Sequence, residues 1–274
     1  MRTIAHLSDL HFSRVDVRLL LPLAAYLGAA SLDLLVVSGD LTQRARSAEF
    51  IAARRFLDTL EVPKIMVPGN HDIPLHNVFS RFVQPLAKYR RYITDDMEPF
   101  HIDEEIAVLG LNTARSLTFK DGKVNRAQIE RVRARLHGLD RGLVKILVTH
   151  HPFDLPAHLG RNDLVGGAPL AMHQFAKTGV DLLLAGHMHT SEAVLTGERY
   201  KVGGYAALAI QAGTATSTRG RGESNAFNIL RVDAARVEID RVRWFPDILS
   251  FEKTETQSFT ATQDGWISPV CTFA

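Results

Sequence analysis

Residues 64–72, KIMVPGNHD, join a short apolar segment to a polar cluster, and this junction is the pattern that decides the fold. The apolar part has the length and composition of a buried strand, whereas the residues after it are turn formers and potential metal ligands. Similar junctions follow the apolar segments at 3–7, 34–37, 144–148 and 182–184. Because ligands in an open α/β sheet bind at the carboxyl ends of the strands, we expect these five polar clusters to meet in one crevice.

Stretches of helical period separate the strands of the first half. Apolar residues share one helical face at 17, 20, 24 and 27, at 50, 53, 57 and 60, and at 129, 132, 136 and 139, the last set after a potential N-cap at Asn125. From Ser191 onward, short apolar segments at 192–195, 207–211, 228–232 and 237–242 follow one another without helical period. The pattern predicts an α/β protein in which two sheets pack face to face with helices outside.

No repeat, low-complexity tract or long polar linker divides the chain. We therefore expect a single domain over residues 1–274, with the polar clusters in residues 1–190 and a β-rich second half with a C-terminal tail in residues 191–274. The tail at 252–274 is rich in Thr and Ser, and it predicts either an edge strand or an arm that reaches a partner chain.

The composition excludes several classes of protein. With 32 basic and 30 acidic residues the formal charge is +2, so the sequence has no electrostatic footprint of a polymeric nucleic-acid binder. The lone Cys271 forms no intramolecular disulfide, which favours a reducing compartment. No run of eighteen apolar residues occurs, and Asp9 comes too early for a signal peptide. We expect a cytoplasmic protein with no membrane partner.

The five clusters combine carboxylate, imidazole and amide side chains, a donor set that suits borderline divalent cations such as Mn, Fe, Co or Zn. A single Asp-x-His is common by chance and Gly-Asn is ordinary turn chemistry, but five clusters that each follow an apolar strand are not. Seven candidate ligands exceed the need of one ion, so we expect two ions that share a bridging carboxylate. The clusters contain Asp9 and His11, then Asp40, then Asn70, His71 and Asp72, then His150 and His151, then His187 and His189.

This ordered series resembles the calcineurin-like metallophosphoesterase superfamily over about residues 4 to 190. Within it, the sequences PGNHD at 68–72 and HHP at 150–152 look most like those of the bacterial class III cyclic-nucleotide phosphodiesterases. The resemblance implies a four-layer α/β/β/α sandwich, which agrees with the two-sheet interpretation. It also implies a metal-dependent phosphoric diester hydrolase with two divalent ions, Mn, Fe or Zn.

The resemblance assigns roles to individual residues. It implies that one metal ion is bound by Asp9, His11 and His189, that the other is bound by Asn70, His150 and His187, and that Asp40 bridges both. His71 is expected to assist the leaving group while a bridging hydroxide attacks phosphorus. His151 is expected to orient a ligand or the backbone instead of binding an ion.

The sequence leaves several substrate classes open. The leading hypothesis is a small phosphodiester, 3′,5′-cyclic AMP or a related cyclic nucleotide. One alternative is a broad phosphoesterase or pyrophosphatase for glycerophosphodiesters, nucleotides or lipid headgroups, and another is a non-catalytic scaffold. Candidate substrate loops are residues 76–95, 112–123 and 214–225, and candidate contacts are Asn70, His71 and Arg115. Arg219 and Arg221 are either anion contacts or plain turn residues, and the β-rich half makes a homodimer plausible.

Overall fold

A computed structural model describes residues 1–75, 78–118, 120–159, 163–218, 223–263 and 265–268. The α-helices formed by these residues are α1 (Leu20–Ala29), α2 (Ser47–Asp58), α3 (Val78–Val83), α4 (Ala87–Tyr92), α5 (Arg126–Leu136) and α6 (Ala168–Thr178). The strands are β1 (Arg2–Leu7), β2 (Leu34–Val37), β3 (Lys64–Met66), β4 (Phe100–Ile102), β5 (Ile106–Gly110), β6 (Val144–Val148), β7 (Leu182–Ala185), β8 (Ala193–Leu195), β9 (Leu208–Gln211), β10 (Ala226–Val232), β11 (Arg236–Phe245), β12 (Ser250–Thr262) and β13 (Gly265–Ile267).

The strands form two sheets. The first has seven strands in the order β13-β12-β11-β10-β1-β2-β3, and the second has six in the order β4-β5-β6-β7-β9-β8. Strands β1, β2 and β3 pair in parallel, as do β5, β6, β7 and β9. Each sheet therefore has a parallel centre whose carboxyl ends lie along one edge, with antiparallel strands added beside it.

Alternate residues of the parallel strands point into different cores, as the period of a strand requires. In β2, Leu34 and Val36 pack between the two sheets, whereas Leu35 and Val37 pack under the helices of the first sheet. A third core lies between the second sheet and the helices α5 and α6, which contribute Val132 and others. Three cores separate four layers, so the predicted α/β/β/α sandwich is confirmed.

The helices follow from local sequence signals. The side chain of Asn125 accepts a hydrogen bond from the Gln128 amide (2.9 Å) and caps α5 as predicted. Helix α6 was not predicted, although its buried residues recur at Ala171, Met172 and Phe175. Its end also carries a clear signal, because Gly179 adopts a left-handed conformation with φ 72°.

The C-terminal tail belongs to the first sheet over its described part. Strand β12 pairs antiparallel with β11 from Ser250 to Thr260, and β13 then pairs with β12 at the edge of the sheet. The alternative of an edge strand is therefore the one that the structure shows for these residues. Cys271 lies outside the described residues.

Candidate metal centre

The five polar clusters lie in the loops at the carboxyl ends of β1, β2, β3, β6 and β7. Backbone hydrogen bonds hold neighbouring loops together, since the Asp9 amide donates to the Gly39 carbonyl (3.1 Å) and the His11 amide to the Asp40 carbonyl (2.9 Å). The two sheets are joined at this edge where the His187 amide donates to Oδ2 of Asp9 (3.0 Å). Residues 178 positions apart in sequence thus meet in one site.

The loops bring the candidate ligands within coordination range of one another. Potential ligand atoms within 4.8 Å of each other occur in four overlapping groups: Asp9, His11 and His189; Asp9, Asp40 and His150; His11, Asp40 and His71; and His150, His151 and His187. The groups share members, so they form one continuous cluster. All seven predicted ligands are buried, from Asp9 and His11 at 0% exposure to Asn70 at 9%.

One end of the cluster is built around Asp9. Its Oδ1 lies 3.1 Å from Nε2 of His189 and 3.4 Å from Nε2 of His11, and those two nitrogens are 3.5 Å apart. Oδ1 is buried and makes no hydrogen bond among the described residues. A buried carboxylate oxygen without a donor is costly, and a cation among these three atoms would remove the penalty. The donor set therefore fits a divalent metal ion.

The other end is built around His150. Its Nδ1 lies 2.8 Å from the Ser38 carbonyl, which can only accept, so Nδ1 carries a proton and Nε2 is the side that faces the cluster. This Nε2 lies 3.1 Å from Oδ1 of Asn70 and 3.5 Å from Oδ1 of Asp40. Backbone anchoring of one ring nitrogen while the other faces oxygen ligands is typical of metal-binding histidines.

The charges of the site favour a cation. Burial opposes a charge on His150, but the Asp40 carboxylate outweighs burial and raises the pKa of His150 to about 9, so a metal ion at this position would displace the proton on Nε2. Burial also opposes ionisation of Asp9, yet His189 and His11 hold the pKa of its carboxyl well below the ordinary value. In contrast, burial and the charge of His150 lower the pKa of His187 to about 3, which leaves a neutral imidazole, the form that binds metals.

The backbone of the site is strained where ligands are presented. Asp9, His11, Asp40, His187 and His189 all have φ between 49° and 73°, in the left-handed region that non-glycine residues rarely adopt. Such conformations persist only where the surrounding structure enforces them, and they cluster at functional sites. Five of the seven predicted ligands share this feature, which the sequence does not reveal.

Asp72 holds two of the loops in register, a role that the sequence analysis did not assign. Its carboxylate accepts hydrogen bonds from the amides of Gly69 (2.9 Å), Leu41 (3.2 Å) and Thr42 (2.9 Å), and from the Thr42 hydroxyl (2.9 Å). Burial, followed by the charge of Asp40, raises the pKa of Asp72 to about 6. The last residue of the GNHD sequence thus fixes the loop of Asp40 against the loop of Asn70.

His71 lies at the margin of the cluster and is half-buried. Its amide donates to Oδ1 of Asp40 (2.8 Å), and its ring meets that of His11 edge-on with centroids 4.9 Å apart. Nδ1 lies 2.9 Å from the Gln43 carbonyl and therefore carries a proton that it donates there. The carbonyl fixes the orientation of the ring, with Nε2 on the opposite side.

His151 lies beside the cluster, but both of its ring nitrogens pair with residues that are not predicted ligands. Its Nε2 donates to the Lys120 carbonyl (2.8 Å), and its Nδ1 is paired with the Thr113 hydroxyl (2.9 Å). Both ring nitrogens are thus engaged away from an ion, and burial lowers the pKa of the ring well below its usual value. Its nearness to His150 and His187, with centroids at 4.8 and 4.7 Å, makes it a packing neighbour of both.

Arg115 lies outside the cluster of predicted metal ligands. Its guanidinium donates to the carbonyls of Asn112 (3.3 Å) and Ala114 (2.9 Å) and to the Gln128 side chain. It lines a cleft of about 770 Å³ that includes Arg90 and none of the seven predicted ligands among its described lining residues. His76, Arg219 and Arg221 lie outside the described residues. Residues 78–83 and 87–92 of the first candidate loop form α3 and α4.

The structure thus has a buried cluster of His, Asp and Asn side chains at the strand ends of a four-layer sandwich. The model of the calcineurin-like phosphoesterase family matches residues 2–191. The chain belongs to this calcineurin-like metallophosphoesterase family, whose members depend on two divalent metal ions.

The chain is also similar to individual phosphoesterases. The glycerophosphodiester phosphodiesterase GpdQ of Enterobacter lignolyticus (strain SCF1) is 31% identical over 111 residues, which are 34% of this chain and 39% of the relative's length. The purple acid phosphatase PPD1 of yellow lupin (Lupinus luteus) superimposes with a TM-score of 0.68 at 11% identity, over 94% of this chain and 53% of that chain. A dimetal phosphatase of Danio rerio has a TM-score of 0.65 at 14% identity, over 95% and 99%. The two structures share the fold.

Among the described residues, the helices are all too short or too polar to cross a membrane.

Proposed function

We propose that this protein is a dinuclear metal-dependent phosphodiesterase that acts on small phosphodiesters. The observation that carries the proposal is the position of Asp40 between two donor sets. Oδ2 of Asp40 lies 3.7 Å from Nε2 of His11, whereas Oδ1 lies 3.5 Å from Nε2 of His150. Each carboxylate oxygen therefore faces a different group of ligands, an arrangement that allows the carboxylate to bridge two ions.

In this proposal the ligand sets are those that the resemblance implies. Asp9, His11 and His189 hold one cation, Asn70, His150 and His187 hold the other, and Asp40 contacts both. Two such cations, when bound, polarise the phosphoryl oxygens and supply a hydroxide nucleophile near neutral pH. Ligand types alone do not select among Mn, Fe and Zn.

The protein's own contribution to the reaction is positioning and proton transfer. His71 donates Nδ1–H to the Gln43 carbonyl and thereby presents Nε2 on the side away from that loop. When the ring carries protons on both nitrogens, it can give the Nε2 proton to the departing oxygen and keep Nδ1–H, which matters most when the leaving group is a poor alkoxide, as in an alkyl phosphodiester. Asp72 and the Ser38 carbonyl keep Asp40 and His150 in place during turnover.

The first substrate to test is 3′,5′-cyclic AMP or a related cyclic nucleotide, as the sequences at 68–72 and 150–152 imply. A glycerophosphodiester is the second candidate, and the local similarity to GpdQ supports it. Both substrates have an alkoxide leaving group, so both place the same demand on His71.

The test compares His71→Ala with the wild type and with His137→Ala, an exposed histidine at the end of α5 that serves as control. Each protein is loaded with Mn, and rates are measured on cyclic AMP, 2′,3′-cyclic AMP, glycerophosphocholine and an aryl phosphodiester. We expect His71→Ala to keep both ions and to lose about 10²–10⁴-fold in kcat on its alkyl substrate, with a smaller loss on the aryl ester.

Two results would contradict the proposal. Loss of metal from His71→Ala on elemental analysis would make His71 a ligand instead of a proton donor. Absence of hydrolysis by the Mn-loaded wild type on all four substrates would favour a scaffold or a phosphomonoesterase.

A further inference from the structure

His6 is a buried histidine that the proposed reaction does not use. It lies in β1 and is 0% exposed. It shares a face of the strand with Ile4, which packs in the core between the two sheets. Burial lowers the pKa of His6 to about 3, so the imidazole is neutral near pH 7. Because this core is otherwise apolar around Ile4, a leucine would fill the same space without a polar atom to satisfy.

The two ring nitrogens of His6 differ in their contacts. Nε2 pairs with the Ser38 hydroxyl (3.0 Å). Nδ1 is buried and makes no hydrogen bond among the described residues. A buried polar atom without a partner costs more free energy than one hydrogen bond between neutral groups contributes. The ring therefore lowers the stability of the fold on balance, so the reason for a histidine at this position lies outside stability.

Ser38 connects His6 to the candidate metal centre. Its carbonyl accepts a hydrogen bond from Nδ1 of His150 (2.8 Å). A β-carbon on Gly39 would lie 2.6 Å from the same Nδ1, so the ring of His150 lies directly against the peptide that joins Ser38 to Gly39. The position of this peptide thus determines the position of Nε2 of His150, which faces Oδ1 of Asn70 at 3.1 Å.

Ser8 separates this contact from the other end of the cluster. The Ser8 hydroxyl lies 3.3 Å from the Ser38 carbonyl, but it lies only 2.6 Å from Oδ2 of Asp9. A hydroxyl has one proton to donate, and the shorter contact to a carboxylate takes it. The Ser38 carbonyl is therefore left to His150, and Asp9 is held independently of the His6 contact.

We propose that His6 is a positioning residue that acts through Ser38 on His150. By pairing with the Ser38 hydroxyl, His6 fixes the peptide whose carbonyl orients the His150 ring. The inference rests on the proposed function, in which His150 holds one of the two cations. Groups that orient a ligand histidine typically change metal affinity 10–100-fold, and His6 lies one contact further from the ion. We therefore expect an effect of about ten-fold, confined to the ion at His150.

The test measures Mn binding by His6→Leu and His6→Gln, with free Mn counted by electron paramagnetic resonance. We expect the wild type to bind two ions and His6→Leu to bind one of them about ten-fold more weakly, with the other unchanged. The metal-free His6→Leu protein should melt at the wild-type temperature or above it, because the unpaired Nδ1 is gone. A Gln amide reaches about as far as Nε2 and can both donate and accept, so His6→Gln should restore the affinity.

Two further variants test the route of the effect. If His6 acts through Ser38, the double variant His6→Leu with Ser38→Ala should bind Mn no more weakly than the weaker of the two single variants. Thr178→Val is the matched control, because Thr178 is also buried and its hydroxyl donates to the Gln174 carbonyl (2.8 Å) at the end of α6. It should bind both ions as the wild type does.

Three results would overturn the inference while the wild type binds two ions and leaves the proposed function standing. They are wild-type affinity for both ions in His6→Leu, no recovery in His6→Gln, and losses that multiply in the double variant. Melting of metal-free His6→Leu more than about 5 °C below the wild type would assign a structural role and overturn it as well. A wild type that binds fewer than two ions would instead overturn the proposed function, and this inference with it.

Discussion

Replacement of Gly69 by alanine is the substitution that most directly disturbs the carboxylate of Asp40, which we propose bridges the two ions. A β-carbon on Gly69 would lie 2.1 Å from Oδ1 of Asp40 and 2.4 Å from the Asp40 amide nitrogen. The second atom is backbone and cannot rotate aside. Because Gly69 has φ −103°, which alanine adopts freely, the effect comes from contact and not from conformational strain.

The size of the effect follows from these distances. Ordinary contact begins at 3.4 Å, so Oδ1 of Asp40 must move by about 1.3 Å. A misplacement of about 1 Å at a reacting centre lowers activity roughly 10²-fold, which equals about 2.7 kcal/mol. Overpacking of this kind also destabilises the fold by about 1–3 kcal/mol. We expect Gly69→Ala to remain folded, to bind metal weakly and to lose at least about 10²-fold in kcat/KM.

The matched control is Gly28→Ala in α1, where an added β-carbon meets no atom within 4 Å. That substitution should leave the rate unchanged and stabilise the helix by about 0.5–1 kcal/mol. The assay combines hydrolysis of an aryl phosphodiester in Mn buffer, elemental analysis after gel filtration, and thermal melting. If Gly69→Ala kept both ions and a rate within about three-fold of the wild type, the reasoning from the Asp40 contact would be refuted.

Three further predictions concern stability. Asp72→Ala removes the acceptor of three buried amides, whereas the Thr42 hydroxyl keeps the His71 carbonyl (3.2 Å), so urea unfolding should show a loss of about 3 kcal/mol or more, and a loss below about 1 kcal/mol would contradict the anchoring role. Removal of metal by a chelator should lower Tm, because Asp9 Oδ1 then lacks a partner, and an unchanged Tm would argue against bound cations. Burial raises the pKa of Asp181 to about 6, so the folded state favours the neutral carboxyl group. The free energy of unfolding therefore decreases as pH rises from about 4 through 6. Asp181→Asn, which keeps an acceptor for the Lys145 amide, should therefore raise Tm at about pH 7.5 but not below about pH 4, as melting curves at both pH values will show.

Much of the fold was predictable because strand and turn signals coincide in this chain. Residues 34–37 form a strand as predicted, and a run that is apolar at every position suits a strand buried on both faces. Helix α6 carries equally good signals, although it was not predicted: Met172 and Phe175 lie on its buried face, and Gly179 marks its end.

The candidate site was predictable as a set of residues but not as a geometry. The sequence places Asp9 and His187 at the ends of strands, and only the structure shows that the His187 amide donates to the Asp9 carboxylate. The left-handed backbone of Asp40 has no signal of its own in the sequence, because neighbouring loops enforce a conformation that non-glycine residues rarely adopt.

The contacts of the Arg115 side chain could not be predicted from the sequence. Its position after an apolar strand predicted a substrate contact, but whether an arginine points into a site depends on which acceptors its long side chain reaches. In the structure these are Gln128 and nearby carbonyls, and a substrate contact by Arg115 stays a prediction. Similarly, the exposure of Phe79 and the burial of Arg81 invert the usual rule, and no local pattern distinguishes that arrangement from an ordinary surface helix.

The central claim is that two cations bind in the cluster and share Asp40. The most direct test is an anomalous difference map from Mn-soaked crystals of the protein. The account predicts two peaks about 3.5–4 Å apart with the Asp40 carboxylate between them, one beside His11 and the other beside His150. A single peak, or two peaks of which Asp40 touches only one, would contradict it.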